Sequence, residues 1–374
     1  MAMKKIFHQL HLWLGLLSGL LVFIIALTGA LYAFQEEISN LSAYKHVQVQ
    51  SENYLVPSVL EKEARRVLPD KDFHGIKYNK PGRAAEAVFY GYNPPHYNIV
   101  YLNPYTAEVL KVKDMNRDFF RFVMNGHFYL WLPPHIGQPL VAWSTLIFVF
   151  VLITGIVIWV PKRLKNMKQR IWFRWDKNTK FPRINYDLHV IGGVYATLFG
   201  LIFALTGLVW GFQWFAQGYY TLIGGKKSLE YSAVLSAKRP ALADVAAPEP
   251  ADAVWLRIQK EYPDAAFIEI DPPQNDSAAV AVHATAADGR YWKTDYRYFD
   301  QYSLAEIEVD GIYGKLQNAD KADKLIRMNY DIHTGAIGGL PGKMIAFAMS
   351  LFIATLPVSG IIIWWKKRKR KLSH

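Results

Sequence analysis

Two histidines, His11 and His189, open apolar stretches that match without a gap, one ending in Leu27-Thr28-Gly29 and the other in Leu205-Thr206-Gly207. A second matched pair, His127 and His333, precedes the later apolar stretches, 28 and 27 residues before Gly155 and Gly360. A histidine at a membrane-embedded position is costly to leave unpaired. Neutral imidazoles from two facing helices are the donor set that both axial positions of one iron require. Each histidine taken alone has a bland reading as a hydrogen-bonded side chain. Two pairs kept at matched positions in diverged halves point instead to His11, His189, His127 and His333 as axial ligands of two b-type haems. Filling both axial positions favours electron transfer over oxygen activation. A closed zinc site wants four ligands, and each pair supplies two.

The remaining histidines rank lower. His8 shares the face of His11, but its counterpart is Tyr186. His135, which follows Pro133-Pro134 and has no histidine counterpart, is the alternative to His127. His46, His74, His96, His283 and His374 are read as surface residues. Gly15 and Gly193, one turn beyond the first pair, would let a flat macrocycle lie against the backbone. The other glycines, those of Leu-Thr-Gly included, are read as close-packing or kink positions. Asp187 and Asp331 stand two residues before a histidine, as Asn125 does before His127, and are read as orienting or capping local backbone.

Four runs without Asp, Glu, Lys or Arg must position these residues: 10–35, 138–160, 188–216 and 344–365. Each reaches the roughly 20 residues that span a hydrocarbon core. The first is too long for the apolar part of a signal peptide and is read as a retained anchor. Segment 161–187 carries nine basic and two acidic residues, and the tail 366–374 six basic ones. With Lys4 and Lys5 they put a net +15 on one side and leave −3 on the other, which returns the +12 of the whole chain. The positive-inside rule then places both termini in the cytoplasm and segments 38–137 and 217–340 outside. The basicity is topology and membrane lipid, not a nucleic-acid footprint. Zero cysteines exclude disulfide scaffolds, iron–sulfur clusters, thiol nucleophiles and covalently attached haem.

The order helix, outside segment, helix occurs twice, so the halves are parallel repeats about an axis along the membrane normal. The outside segments repeat as well. Leu60–Leu68 and Val254–Tyr262 read as amphipathic helices, each followed by alternating strands such as Ala87–Tyr92, Tyr97–Leu102 and Ala278–Ala284. The fold class expected is a four-helix transmembrane bundle built from two repeats, with two small α+β domains outside. The Ala/Pro-rich stretch from Ala241 is read as a linker.

The patterns His-x-Trp-Leu-Gly-x-x-x-Gly from His11, Asp-x-His with Gly192-Gly193, His-x-Gly with Pro341-Gly342-Lys343, and Ser359-Gly360 with Trp364-Trp365-Lys366-Lys367 together resemble the PepSY-associated transmembrane family. The resemblance covers nearly the whole chain. It implies that the outside segments are PepSY-like periplasmic domains. It also implies an oxidoreductase of the bacterial inner membrane, similar to the di-haem ferric-siderophore reductases, that releases iron as Fe(II). No nucleotide or flavin motif occurs, so electrons would come from a separate cytoplasmic donor or from quinol. The siderophore would meet the outer haem in a cleft under the outside domains, lined by aromatics such as Tyr129 and Trp131. The competing reading is a membrane-anchored PepSY-domain binding protein for a peptide or protease, without redox activity. A transporter is disfavoured because the spans hold no ionisable residue besides histidine.

Overall fold

The computed structural model describes residues 2–51, 53–161, 167, 170–230, 232–237 and 249–372. Residues 241–248 of the expected linker, several positions of the basic loop after Pro161, and His374 lie outside the described residues. From Pro250 the stretch read as linker is already helical, with proline at the first helical position, where its missing N–H costs nothing. The chain divides into two compact units.

The helical unit comprises Met1–Gln35, Phe122–Tyr219 and Asn329–His374. Its helices include α1 (Ala2–Tyr32), α2 (Phe119–Tyr129), α3 (Pro134–Trp159), α4 (Phe181–Gly211), α5 (Asn329–His333) and α6 (Gly339–Leu372). Four of them, α1, α3, α4 and α6, are long and apolar enough to cross a membrane. α1 packs on α3 and α6, and α4 packs on the same two. Their shared core is Val22, Ala26, Ala196, Ile353 and Ala354, ringed by Phe23, Phe148, Phe203 and Phe352. One turn of α4, Leu188–Gly192, is π-helical and carries His189. Such single-turn widenings recur at functional sites.

Short helices carry the other two candidate histidines. α2 ends at Leu130 and Trp131, both at positive φ, which turn the chain toward α3. α5 ends before Gly335, whose φ is +77° and whose missing β-carbon would strike the Gly342 carbonyl. Only glycine fits there. His127 and His333 therefore belong to the helical unit, whereas the sequence reading assigns them to the outside segments 38–137 and 217–340.

The second unit, Glu36–Arg121 with Tyr220–Met328, is built on one eight-stranded sheet in the order β4-β3-β2-β1-β5-β6-β7-β8. The strands are β1 Phe73–Asn79, β2 Ala85–Tyr92, β3 Pro95–Leu102, β4 Val109–Asp114, β5 Phe267–Asp271, β6 Val280–Thr285, β7 Asp295–Phe299 and β8 Glu306–Ile307. The two helix-and-strand segments do not stand apart. They join through the antiparallel β1·β5 pair, with Ile76 opposite Ile270 and Tyr78 opposite Ile268. Helices Pro57–Val67 and Pro250–Glu261 bury Leu60, Ala64, Trp255 and Ile258 in the core of this sheet, where Trp255 stacks on Tyr78 at 3.8 Å. Asp252 ties the two helices by accepting the Ser58 N–H at 2.8 Å.

Candidate functional site

His11 of α1 faces His189 of α4, with ring centroids 6.3 Å apart. His127 of α2 faces His333 of α5 at 6.1 Å. We call the first pair inner, since it lies toward both chain termini, and the second outer. Eighteen residues separate His11 from Gly29, against which His127 rests, and His189 from Gly207, beside His333. At about 1.5 Å per residue the two levels are roughly 27 Å apart along the helices. The aromatic ring of the bundle core lies between them.

Every ring is held by the same nitrogen. His11 Nδ1 donates to the Val151 carbonyl at 3.0 Å and lies 3.2 Å from Thr154 Oγ1. His127 Nδ1 donates to the Ile25 carbonyl at 2.9 Å and lies 3.4 Å from Thr28 Oγ1. His189 Nδ1 meets Ser359 Oγ at 2.9 Å, and His333 Nδ1 meets Thr206 Oγ1 at 2.8 Å. Each of these hydroxyls already gives its single proton to a carbonyl of its own helix, that of Ile24, Phe150, Ile202 or Leu356. Toward the imidazole it can only accept. Nδ1 therefore carries the ring proton and Nε2 keeps its lone pair in all four residues, the form that binds a metal. Among the described residues, none bonds Nε2 of any of the four.

The residue after each hydroxyl is a glycine, and its bare α-carbon seats the ring. A β-carbon on Gly29, Gly155, Gly207 or Gly360 would stand 3.0, 3.3, 3.7 or 3.1 Å from Cε1 of His127, His11, His333 or His189. Four Thr-Gly or Ser-Gly dipeptides thus hold four histidines. The sequence reading treats these dipeptides as repeat markers and their glycines as packing positions. Their fourfold recurrence at matched positions was the available signal. Gly15 has open space beside it, and Gly193 meets only Leu356 at 3.7 Å.

The pairs fit a metal held between two rings. With metal–nitrogen bonds of about 2.0–2.1 Å, and about 1.1 Å from nitrogen to ring centre, two imidazoles holding one metal between them would have centroids up to roughly 6.3 Å apart. Among the described residues no group of three or more His, Asp or Glu converges as a metal cage. Around the outer pair lies a largely apolar cavity of about 390 Å³, lined by Gly29, His127, Phe203, Gly207, Trp210 and His333. Its size falls in the ~300–1,000 Å³ range of cofactor pockets. The aromatic wall is Phe203 and Trp210, the latter edge-on to His333 at 5.3 Å. Trp131, expected in that role, is instead exposed, stacks on Phe122 and donates its indole N–H to the Phe122 carbonyl.

His135 is exposed on the first turn of α3 and does not face His333; His127 does. His8 and His46 are exposed, and His74 reaches Asp271 at 3.8 Å with about half its side chain in solvent. His96 is not a surface residue: it is buried, and its Nε2 accepts the Asp72 N–H at 3.1 Å. His283 is half-buried beside Glu269, whose hydrogen bond and charge, with the Asp271 charge, raise its pKa against burial. Asp187 accepts from the Trp175 indole at 3.1 Å and from Arg183 at 2.8 Å, so it anchors the approach to α4.

A membrane protein of several spans, with two facing histidine pairs at opposite ends of an apolar bundle, is the class these features define. The chain belongs to the family of the PepSY-associated TM region, whose model matches residues 8–367 and so takes in all four histidines. No curated protein matches the chain.

Proposed function

We propose that the chain conducts electrons across the bacterial inner membrane through two b-type haems and reduces ferric siderophore in the periplasm, releasing Fe(II). His11 and His189 would hold one haem, His127 and His333 the other. When bound, these groups supply one-electron transfer at each end of the bundle. The single observation that carries the reading is the pairing itself: two sets of facing imidazoles at metal-bridging separation, each with Nδ1 tied and Nε2 free.

The chain's own contribution is orientation and exclusion of water. The hydroxyl–glycine seats set the rings, and the apolar lining around the outer pair keeps a low dielectric. The ferric centre of the siderophore takes up one electron, which a cytoplasmic donor or quinol must supply on the other side. The fate of the iron follows from its charge, because Fe(II) is the more weakly held form.

Purified protein tests this directly. A Soret band, a split reduced α-band, two haems per chain and reoxidation of the reduced protein by ferric siderophore are expected. Colourless protein from haem-replete cells would overturn the reading in favour of a membrane-anchored binding protein.

A further inference from the structure

The five-residue pattern Asn-Tyr-Asp-x-His occurs twice, from Asn185 to His189 and from Asn329 to His333. In both copies the asparagine and the histidine grip the same residue of a neighbouring helix. Asn185 Nδ2 donates to the Ser359 carbonyl at 3.1 Å, while His189 Nδ1 meets the Ser359 hydroxyl at 2.9 Å. Asn329 Nδ2 donates to the Thr206 carbonyl at 3.0 Å, while His333 Nδ1 meets the Thr206 hydroxyl at 2.8 Å. A helix carbonyl has a second lone pair, so the amide bond adds to the helix without breaking it. Both asparagines are buried.

The first half lacks this device. Phe7 and Val123 stand four residues before His11 and His127, so the asparagine is the part the first half lacks; a main-chain carbonyl bears on the ring in all four cases, that of Val151, Ile25, Leu356 or Phe203 for His11, His127, His189 or His333. We propose that Asn329 with Thr206, and Asn185 with Ser359, form two-point clamps that position His333 and His189. The amide fixes the helical turn on its neighbour, and the hydroxyl fixes the ring rotation and its Nδ1–H form. Nε2 is thereby aimed at the facing histidine. The functional consequence rests on the haem reading above, whereas the ring orientation is a property of the chain itself. Loss of such an outer partner of a metal ligand typically costs ~10–100-fold in affinity or activity.

The test uses the full-length chain labelled with ¹⁵N-histidine, reduced so that any low-spin haem iron is diamagnetic, with His333 signals assigned through His333→Ala. Nδ1 of His333 should be protonated in the unaltered protein and in Thr206→Ser. Thr206→Val and Asn329→Leu should instead show mixed ring forms, weaken retention of the outer haem by ~10–100-fold and shift its midpoint potential. Thr355→Val, an exposed hydroxyl of α6 bonded only to its own helix, should change none of these. Ser359→Ala carries the same test at His189 should Thr206→Val fail to accumulate. A single Nδ1–H form of His333 with unaltered retention in Thr206→Val, or of His189 in Ser359→Ala, would overturn the clamp. The expected ring form in a chain without haem would leave the clamp standing and remove the haem reading.

Discussion

A β-carbon on Gly29 would stand 3.0 Å from Cε1 of His127, so the backbone of α1 is the wall against which that imidazole is seated. The adjacent Thr28 hydroxyl lies 3.4 Å from Nδ1 of the same ring, and the Ile25 carbonyl accepts the Nδ1–H hydrogen bond. One helical turn therefore sets both the position and the proton of a residue on another helix. Gly29→Val should push His127 out of line with His333 and lower haem content from two per chain to one, measured as pyridine haemochrome. The inner site, held by Gly155 and Gly360, should keep its haem.

His11 and His189 face one another at 6.3 Å, and on the proposed reading they serve one site. His11→Ala and His189→Ala should each lose the same haem, and the double variant should match either single one. Half losses that add in the double variant would assign the two histidines to different sites.

The four histidines were legible because a duplicated sequence exposes matched positions, which physical spacing alone would not. What held them was not legible. Thr206 and Ser359 sit in apolar stretches where a hydroxyl ordinarily bonds its own helix, and each does so. That the second lone pair faces His333 or His189 depends on contacts across 127 and 170 residues of chain. The eight-stranded sheet was hidden for a similar reason. β1 and β5 are not among the strands named from the sequence, and nothing local in either marks the other as its neighbour. His96 follows Pro94-Pro95 and is read from sequence as a surface residue, whereas its ring packs on Gly91 and takes the Asp72 N–H on Nε2 while Nδ1 donates to the Pro94 carbonyl.

Charge placement makes the topology testable. Reporter fusions after Tyr105 and after Glu261 should read periplasmic, and one after Asp176 cytoplasmic. A cytoplasmic signal at either of the first two sites would invert the proposed direction of electron flow.

The sheet unit should show an acid-side dependence centred on Glu306. Burial works against its charge, but hydrogen bonds from Arg297 and Lys315 outweigh it and hold the carboxyl down to about 2. An unfolded glutamate titrates near 4.3, so the folded form binds its proton less tightly. This contribution to stability is present above about 4.3 and is lost as pH falls through 2. Thermal unfolding of the full chain between pH 5 and 2.5 should steepen accordingly, and Glu306→Gln should flatten that part of the profile. An unaltered slope in the variant would reassign the acid sensitivity to other carboxylates.

If the bundle conducts electrons as proposed, the outer pair is the step that decides it. The two histidine levels lie roughly 27 Å apart, close to the ~30 Å of a hydrocarbon core, so an inner site alone would leave most of the membrane between the electron and any periplasmic acceptor. On the proposed reading a ferric siderophore, too large and polar to descend into the bundle, would take its electron near the cavity walled by Phe203 and Trp210. In vesicles with dithionite trapped on the cytoplasmic side, the unaltered protein should reduce external ferric siderophore, followed with a ferrous-iron chelator. His333→Ala should retain the inner haem and its reduction by dithionite, yet transfer no electron to the siderophore. His135→Ala should behave as the unaltered protein, since that residue is exposed and away from His333. Full siderophore reduction by a His333→Ala protein shown to lack the outer haem would refute the two-site relay, because the electron would then have crossed without the outer pair.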